Sequence, residues 1–274
     1  MIHLVTFASE DMSKSAELCD ASARAQGVES SWPWNQAMLR ATECYQQNKA
    51  LFDQARGCGF FAWKPLILTE AMKDSLCKDG DILIYADAGL EFIEPVRTII
   101  DLMDQDIWLF GNEHLHAHWC KRDIIDAICP ASLYSFWVGD NPGWGRFGKQ
   151  AQASVIFFRV NDYTRKFVKE WLYWCLYGVQ TFTDVDGYKF PKAVHYLIDD
   201  SPSIAPNHPE FIENRHDQAI LTTMAYREGI KLHEWYVKYE GYTPGRMTGY
   251  PRELERPFVF HHRRRNSEWE GIAA

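Results

Sequence analysis

The stretch Gly80-Asp81-Ile82-Leu83-Ile84-Tyr85-Ala86-Asp87-Ala88-Gly89 constrains the fold of this chain more than any other. Lys78-Asp79-Gly80-Asp81 supplies a turn, and the short apolar run after it reads as a buried strand. That run ends in an acid followed by a small-residue pair. In open α/β sheets this is where ligands bind, outside the carboxyl ends of the strands. A nucleotide, a cation or both suit such a place. Asp87 is then a ligand to a hard divalent cation or to the hydroxyls of a ribose. The alternative is an aspartate that caps a turn or helix start, which it does readily.

The rest of the pattern is an alternation of strands and helices. Residues 4–7 read as a first strand and 13–26 as a helix stopped by Gly27. A second helix is expected from Pro65, with Leu68, Met72 and Leu76 on one face. After the Tyr85 strand, a helix opens at Pro95 and a short strand covers 107–110. Strands over 153–160, 230–237 and 258–262 and helices over 163–177 and 217–226 complete the reading. This order predicts an α/β fold with a mostly parallel central sheet flanked by helices. No repeat or linker interrupts it, so one domain over 1–274 is expected, with two halves (about 1–105 and about 106–274).

Composition excludes several classes. A net charge of −8 argues against a general nucleic-acid binder, whose surface is basic. Seven cysteines without a C-x-x-C pair fit reduced thiols, and no apolar run approaches the roughly 20 residues of a membrane helix. Met1 to Phe7 lacks a basic leader region, so a cytoplasmic protein without a transmembrane segment is expected. Residues 178–213 show no strong period, and loops longer than about 12–15 residues are usually functional or mobile.

Several segments in series resemble GT-A-type glycosyltransferases of polysaccharide and capsule synthesis. They are Phe60-Phe61-Ala62-Trp63-Lys64-Pro65, the strand ending at Asp87, Trp119-Cys120-Lys121-Arg122-Asp123, Arg215-His216-Asp217-Gln218, and Phe260-His261-His262-Arg263. The match runs from Leu4 to about Asn266. It implies a single GT-A-like (Rossmann-like) domain that moves a sugar from a nucleotide-sugar donor, a UDP-sugar, to a hydroxyl of a saccharide or glycan acceptor. Where that family carries D-x-D, this chain has Asp87-Ala88-Gly89. With the second acid missing, the resemblance implies Mn²⁺ or Mg²⁺ held by Asp87 with His261 or His262. It also implies donor contacts from Thr6, Phe7, Ala8, Lys64, Asp87, Ala88, Gly89, Gln218 and Arg263. Arginine and lysine suit the diphosphate.

Asp217 is the candidate catalytic group. In an inverting enzyme it would take the acceptor's proton, and in a retaining one it would contact the sugar. Read from its helix start alone, it is an acid stabilised by unpaired amides. Residues 178–213 would form an acceptor-side loop or lid, with Tyr188, His195, Tyr196 and His208 as contacts.

Two other patterns offer rival chemistry. Gly143-Trp144-Gly145-Arg146-Phe147-Gly148 spells a dinucleotide fingerprint, but it lacks the preceding strand and following helix. His114, His116 and His118 alternate, and on a strand they would share one face, as a zinc-dependent hydrolase would require. A non-catalytic, glycosyltransferase-like binding protein is the remaining alternative, because the second acid is absent.

Overall fold

The computed structural model describes residues 1–73, 75–129, 148–177, 196–233, 237–239 and 259–261. Among them, ten strands run in chain order. They are β1 (Ile2–Ala8), β2 (Ser30–Asn35), β3 (Ile82–Ala86), β4 (Leu90–Phe92), β5 (Ile107–Leu115), β6 (Lys149–Ala151), β7 (Val155–Arg159), β8 (Leu232–His233), β9 (Val237–Tyr239) and β10 (Val259–His261). Five helices position the site: α1 (Ser13–Ala25), α2 (Trp63–Ala71), α3 (Arg122–Ile128), α4 (Asp162–Tyr177) and α5 (His216–Arg227).

Seven strands form the central sheet in the order β2-β1-β3-β7-β5-β6, with β8 also paired to β5. β1 runs parallel to β2 and β3, and β8 runs parallel to β5. β7 opposes both β3 and β5, and β6 opposes β5. Five strands (β1, β2, β3, β5, β8) therefore point one way and two (β6, β7) the other. The expected α/β fold with a mostly parallel, helix-flanked sheet is what forms.

Both faces of the sheet are covered, which explains why β3 reads as a continuous apolar run and why every residue of β1, His3 and Thr6 included, is buried. Alternation survives in which core each residue joins. Val5, Phe7, Leu83, Tyr85, Ile107, Leu109, Ile156 and Phe158 pack on one face with α2, α3, α4 and α5. Leu4, Ile82, Ile84, Ala86, Trp108, Phe110, Val155 and Phe157 pack on the other with Cys19 and Ala23 of α1. Each such large side chain contributes about 1.5–3 kcal/mol when fully buried.

Several elements differ from the sequence expectation in extent. α2 begins at Trp63, two residues before Pro65, because the backbone is already turning through Phe61 and Ala62. The strand expected over 107–110 continues to Leu115, where β6 pairs with it. The helix expected after Pro95 is only one turn, Arg97–Ile100. The single strand expected over 230–237 is represented by β8 in the large sheet and β9 in a small one. In that small sheet β10 lies between β4 and β9, antiparallel to β4, with His261 opposite Leu90.

Candidate active site

Strand parity decides which side chains meet. Tyr85 and Asp87 are two residues apart at the end of β3, so both project to the face covered by α2 and α5. The Tyr85 hydroxyl donates to Oδ1 of Asp87. The same oxygen is 3.2 Å from Nζ of Lys64, on the first turn of α2. That ammonium also donates to the Ala153 carbonyl at 3.0 Å and stands 3.9 Å from Oδ2 of Asp217, on the first turn of α5. Three charged residues from three distant segments thus share one buried point beneath the strand end.

Around the ammonium lie the rings of Tyr85 (5.3 Å), Phe61 (5.5 Å) and Trp63 (5.8 Å). Their faces attract a cation that has lost its water. Burial opposes the Lys64 charge, yet the Asp87 and Asp217 carboxylates outweigh it and hold its pKa above the ordinary lysine value. Asp217 moves in the opposite sense for a carboxyl. Burial raises its pKa to about 7, with Lys64 pulling it down and Asp87 pushing it up. Its Oδ2 has no hydrogen-bond partner among the described residues. Trp171 of α4 fixes the backbone there, donating Nε1–H to the Asp217 carbonyl at 3.0 Å.

Above this cluster opens a cleft of about 790 Å³ at the carboxyl ends of β1 and β3. Phe7 and Ala8 from β1, Ser9, Asp11 and Met12 beyond it, and Asp87, Ala88 and Gly89 form one side. Gly57, Cys58, Phe61 and Trp63 form the other. The volume suits a small-molecule ligand. Asp87 is the charged residue of the buried cluster that reaches it, with a side chain 34% exposed, whereas Asp217 is 3% exposed. Asp217 therefore stands behind Lys64, not on the cleft wall where an acceptor contact was expected. Burial at the first turn of α5 explains its raised pKa.

The segment from Gly57 to Phe61 was not legible as part of the site. All five residues have positive φ, including Cys58 (52°), Phe60 (53°) and Phe61 (63°). Each non-glycine residue held there costs on the order of 1 kcal/mol, and such conformations persist only where the surroundings enforce them. Trp63 supplies part of that enforcement by donating Nε1–H to the Gly57 carbonyl at 2.8 Å. At Gly59 a side chain is excluded, since a Cβ would lie 2.7 Å from Cα of Phe52. The Gly57-x-Gly59 spacing beside a Phe-Phe-x-Trp run was the only available signal.

The other expected site residues divide clearly. Phe7, Ala8, Ala88 and Gly89 line the cleft. Thr6 is fully buried and, by parity with Leu4, faces the α1 side of the sheet. Lys64 is directed inward rather than presented to the cleft. Gln218 reaches Gln150 on β6 at 3.0 Å. His261 is described only as a strand position, opposite Leu90, which follows Asp87 by three residues in the chain. His262 and Arg263, together with residues 143–147, Tyr188 and His195, lie outside the described residues.

The three alternating histidines do not share a face, because β5 ends at Leu115 and His116–His118 forms a 3₁₀ turn. His116 is turned into the core, with Nε2 2.9 Å from Oγ1 of Thr223, and burial lowers its pKa to about 3. His114 packs on Trp119, and His118 pairs with Glu210. Among the described residues they make no common metal site, which removes the geometric basis for the hydrolase reading. Tyr196 is likewise tied inward, donating its hydroxyl to Asp123.

No protein-family model matches the chain, and no curated protein matches it in sequence. Similar solved structures include the galactosyltransferase LgtC in complex with donor and acceptor sugar analogues. It is 13% identical, covers 95% of this chain and 86% of its own, and has a TM-score of 0.45. Mouse xyloside xylosyltransferase 1 in its apo form is also 13% identical, covers 95% of this chain and 97% of its own, and has a TM-score of 0.48.

Proposed function

We propose that this protein is a glycosyltransferase that moves a sugar from a nucleotide-sugar donor, a UDP-sugar, to a hydroxyl of a saccharide or glycan acceptor. The observation that carries this reading is the cleft at the carboxyl ends of β1 and β3, with a part-exposed Asp87 backed by the buried Lys64–Asp217 pair. Ligands of open α/β sheets bind at such strand ends. Phe7, Phe61 and Trp63 offer apolar walls for a base or sugar ring, and Ala88-Gly89 lets a ligand approach the backbone.

A divalent cation fits this chemistry. Asp87 offers a carboxylate toward the cleft, and the β10 register brings His261 to the strand that follows it. Carboxylate with imidazole suits Mn²⁺ better than Mg²⁺, which prefers oxygen donors. Bound there, the cation would neutralise the departing diphosphate. Lys64 anchors the Asp87 carboxylate from beneath. Asp217 acts through Lys64 as a positioning residue, since it holds the ammonium on the side away from the cleft.

Thermal shift with a panel of sugar nucleotides, with and without Mn²⁺, tests the reading. A donor present at a hundred times its Kd stabilises the native state by about 2.7 kcal/mol. We expect that shift for UDP-sugars, its strengthening by Mn²⁺, and its loss in Asp87→Ala. No shift with any sugar nucleotide would overturn the proposal. A shift without release of free nucleoside diphosphate across acceptor panels would favour the non-catalytic binding protein.

A further inference from the structure

Outside the cleft, three metal-ligating side chains converge from two segments. His118 ends the 3₁₀ turn after β5, and His208 and Glu210 lie in the segment that leads to α5. One ligand atom from each lies within 4.8 Å of the other two. Nε2 of His118 is already 3.0 Å from Oε2 of Glu210, and the two imidazole centroids are 5.1 Å apart.

The main chain holds this arrangement in place. The Ile212 N–H donates to the His118 carbonyl at 2.8 Å, and the Arg215 N–H donates to the Trp119 carbonyl at 3.0 Å. Within the second segment the Phe211 N–H donates to the His208 carbonyl at 2.9 Å. The two segments are thus docked by backbone bonds that do not depend on the three side chains.

We infer that His118, His208 and Glu210 form a site for a borderline divalent cation of the Zn²⁺ class, separate from the cleft. Two imidazoles and one carboxylate are a nitrogen-rich set that favours Zn²⁺ over Mg²⁺ or Ca²⁺. Ligand atoms about 2.0–2.1 Å from zinc stand about 3.3 Å apart, so the widest pair, within 4.8 Å, must close by up to about 1.5 Å, whereas His118 and Glu210 are already near that spacing at 3.0 Å. Glu210 can supply much of that movement, because its side chain is 73% exposed. The His208 ring currently accepts the Glu210 N–H at Nδ1 (3.1 Å), a bond that a metal at that nitrogen replaces. Water completes the tetrahedron.

The cation would clip the His116–His118 turn to the non-helical chain that enters α5, with Glu210 seven positions before Asp217. Its role is structural: it fixes the approach to the helix that carries the lysine's buried partner. A protein with metal at this site should therefore be more stable with the same ligand preference at the cleft.

Titration calorimetry of the full chain with Zn²⁺ alone, after its accessible thiols are alkylated, tests the site. One Zn²⁺ per chain is expected, with affinity at least about tenfold weaker in His208→Ala and in Glu210→Gln. Both substitutions lie on an exposed segment, so folding is checked by their unchanged melting temperature in chelator. Cobalt in place of zinc should give absorption without thiolate charge transfer. Unchanged Zn²⁺ affinity in both variants, or a zinc signal lost in Asp87→Ala but kept in His208→Ala, would overturn the inference. Because this readout is metal affinity rather than turnover, its failure is distinct from failure of the glycosyltransferase reading.

Discussion

Two lysines are buried among the described residues, and their surroundings set them to opposite ends. Lys64 stands between two carboxylates from different elements, under an open cleft, with its pKa held above the ordinary value despite burial. Lys121 is enclosed by the Tyr196 carbonyl (2.6 Å), Asp199 (3.0 Å) and the Ser201 hydroxyl (3.3 Å), and burial lowers its pKa. Neighbouring Asp123 accepts from the Ile204 and Ala205 amides at 2.8 and 2.9 Å. Lys121 and Asp123 therefore pin the 196–205 segment to α3. Lys64 leaves its surplus carboxylate, Asp87, facing solvent. A buried cation whose partners all lie on one docked segment builds structure, whereas one that shares its charge with an acid reaching an open cleft builds a site.

Removing each cation should separate the two most strongly. Breaking a buried ion pair from one side costs about 3–5 kcal/mol. Lys64→Met should approach that loss in urea unfolding, and adding Asp217→Asn should restore part of it by removing the orphaned buried charge. Lys121→Met should also destabilise, but by less, because the carboxylate it leaves, Asp199, is 19% exposed and keeps its bond from the Ser201 hydroxyl, whereas Asp217 beside Lys64 is 3% exposed. It should leave sugar-nucleotide affinity per folded molecule unchanged. Equal loss of ligand binding in both would erase the distinction.

Titration provides the next contrast. Asp217 has its pKa raised from 3.8 to about 7, so the folded state binds its proton more tightly than the unfolded state does. This contribution is fully present below about pH 4 and is lost as pH rises to about 7. At about 1.4 kcal/mol per unit over roughly three units, it amounts to at most about 4 kcal/mol. The native protein should lose stability relative to Asp217→Asn across that window, read as the difference between their unfolding curves. His116 works against this trend in the native protein, since its lowered pKa adds stability as pH rises from about 3 to 6.5. The comparison with Asp217→Asn cancels that background. A matching inflection near pH 7 in turnover should also disappear in the variant.

The smallest change expected is at Tyr85. Tyr85→Phe deletes the hydroxyl that donates to Asp87, a hydrogen bond to a charged group worth about 1.5 kcal/mol. Calorimetry should show weakened donor affinity with the apolar packing of the ring retained. A variant that binds the donor like the native protein would place the anchoring of Asp87 on Lys64 alone.

The apolar run Ile82-Leu83-Ile84-Tyr85 and its terminal acid made β3 and its ligand-facing end legible, because burial on both faces leaves a composition no exposed strand shares. Helices α2, α4 and α5 were legible in place but not always in extent: α2 ends at Ala71, which leaves Leu76 of the expected apolar face outside the helix and exposed. The histidine pattern misled because alternation predicts a shared face only while the chain remains a strand, and β5 ends between His114 and His116. The Gly57–Phe61 wall escaped notice because left-handed phenylalanines carry no composition signal. Beside them, Trp63 holds the Gly57 carbonyl, and the Phe52 backbone leaves no room for a side chain at Gly59.

What the sequence determined by itself is the strand that ends in Asp87 and the alternation that makes an α/β sheet, since both depend on neighbours in the chain. Only the tertiary structure decided that Lys64 and Asp217, 153 positions apart in number, complete that acid from beneath. Their pairing depends on how α2 and α5 pack on one face of the sheet. Long-range packing of that kind sets which charges lose their water, and so which carboxyl titrates near neutrality.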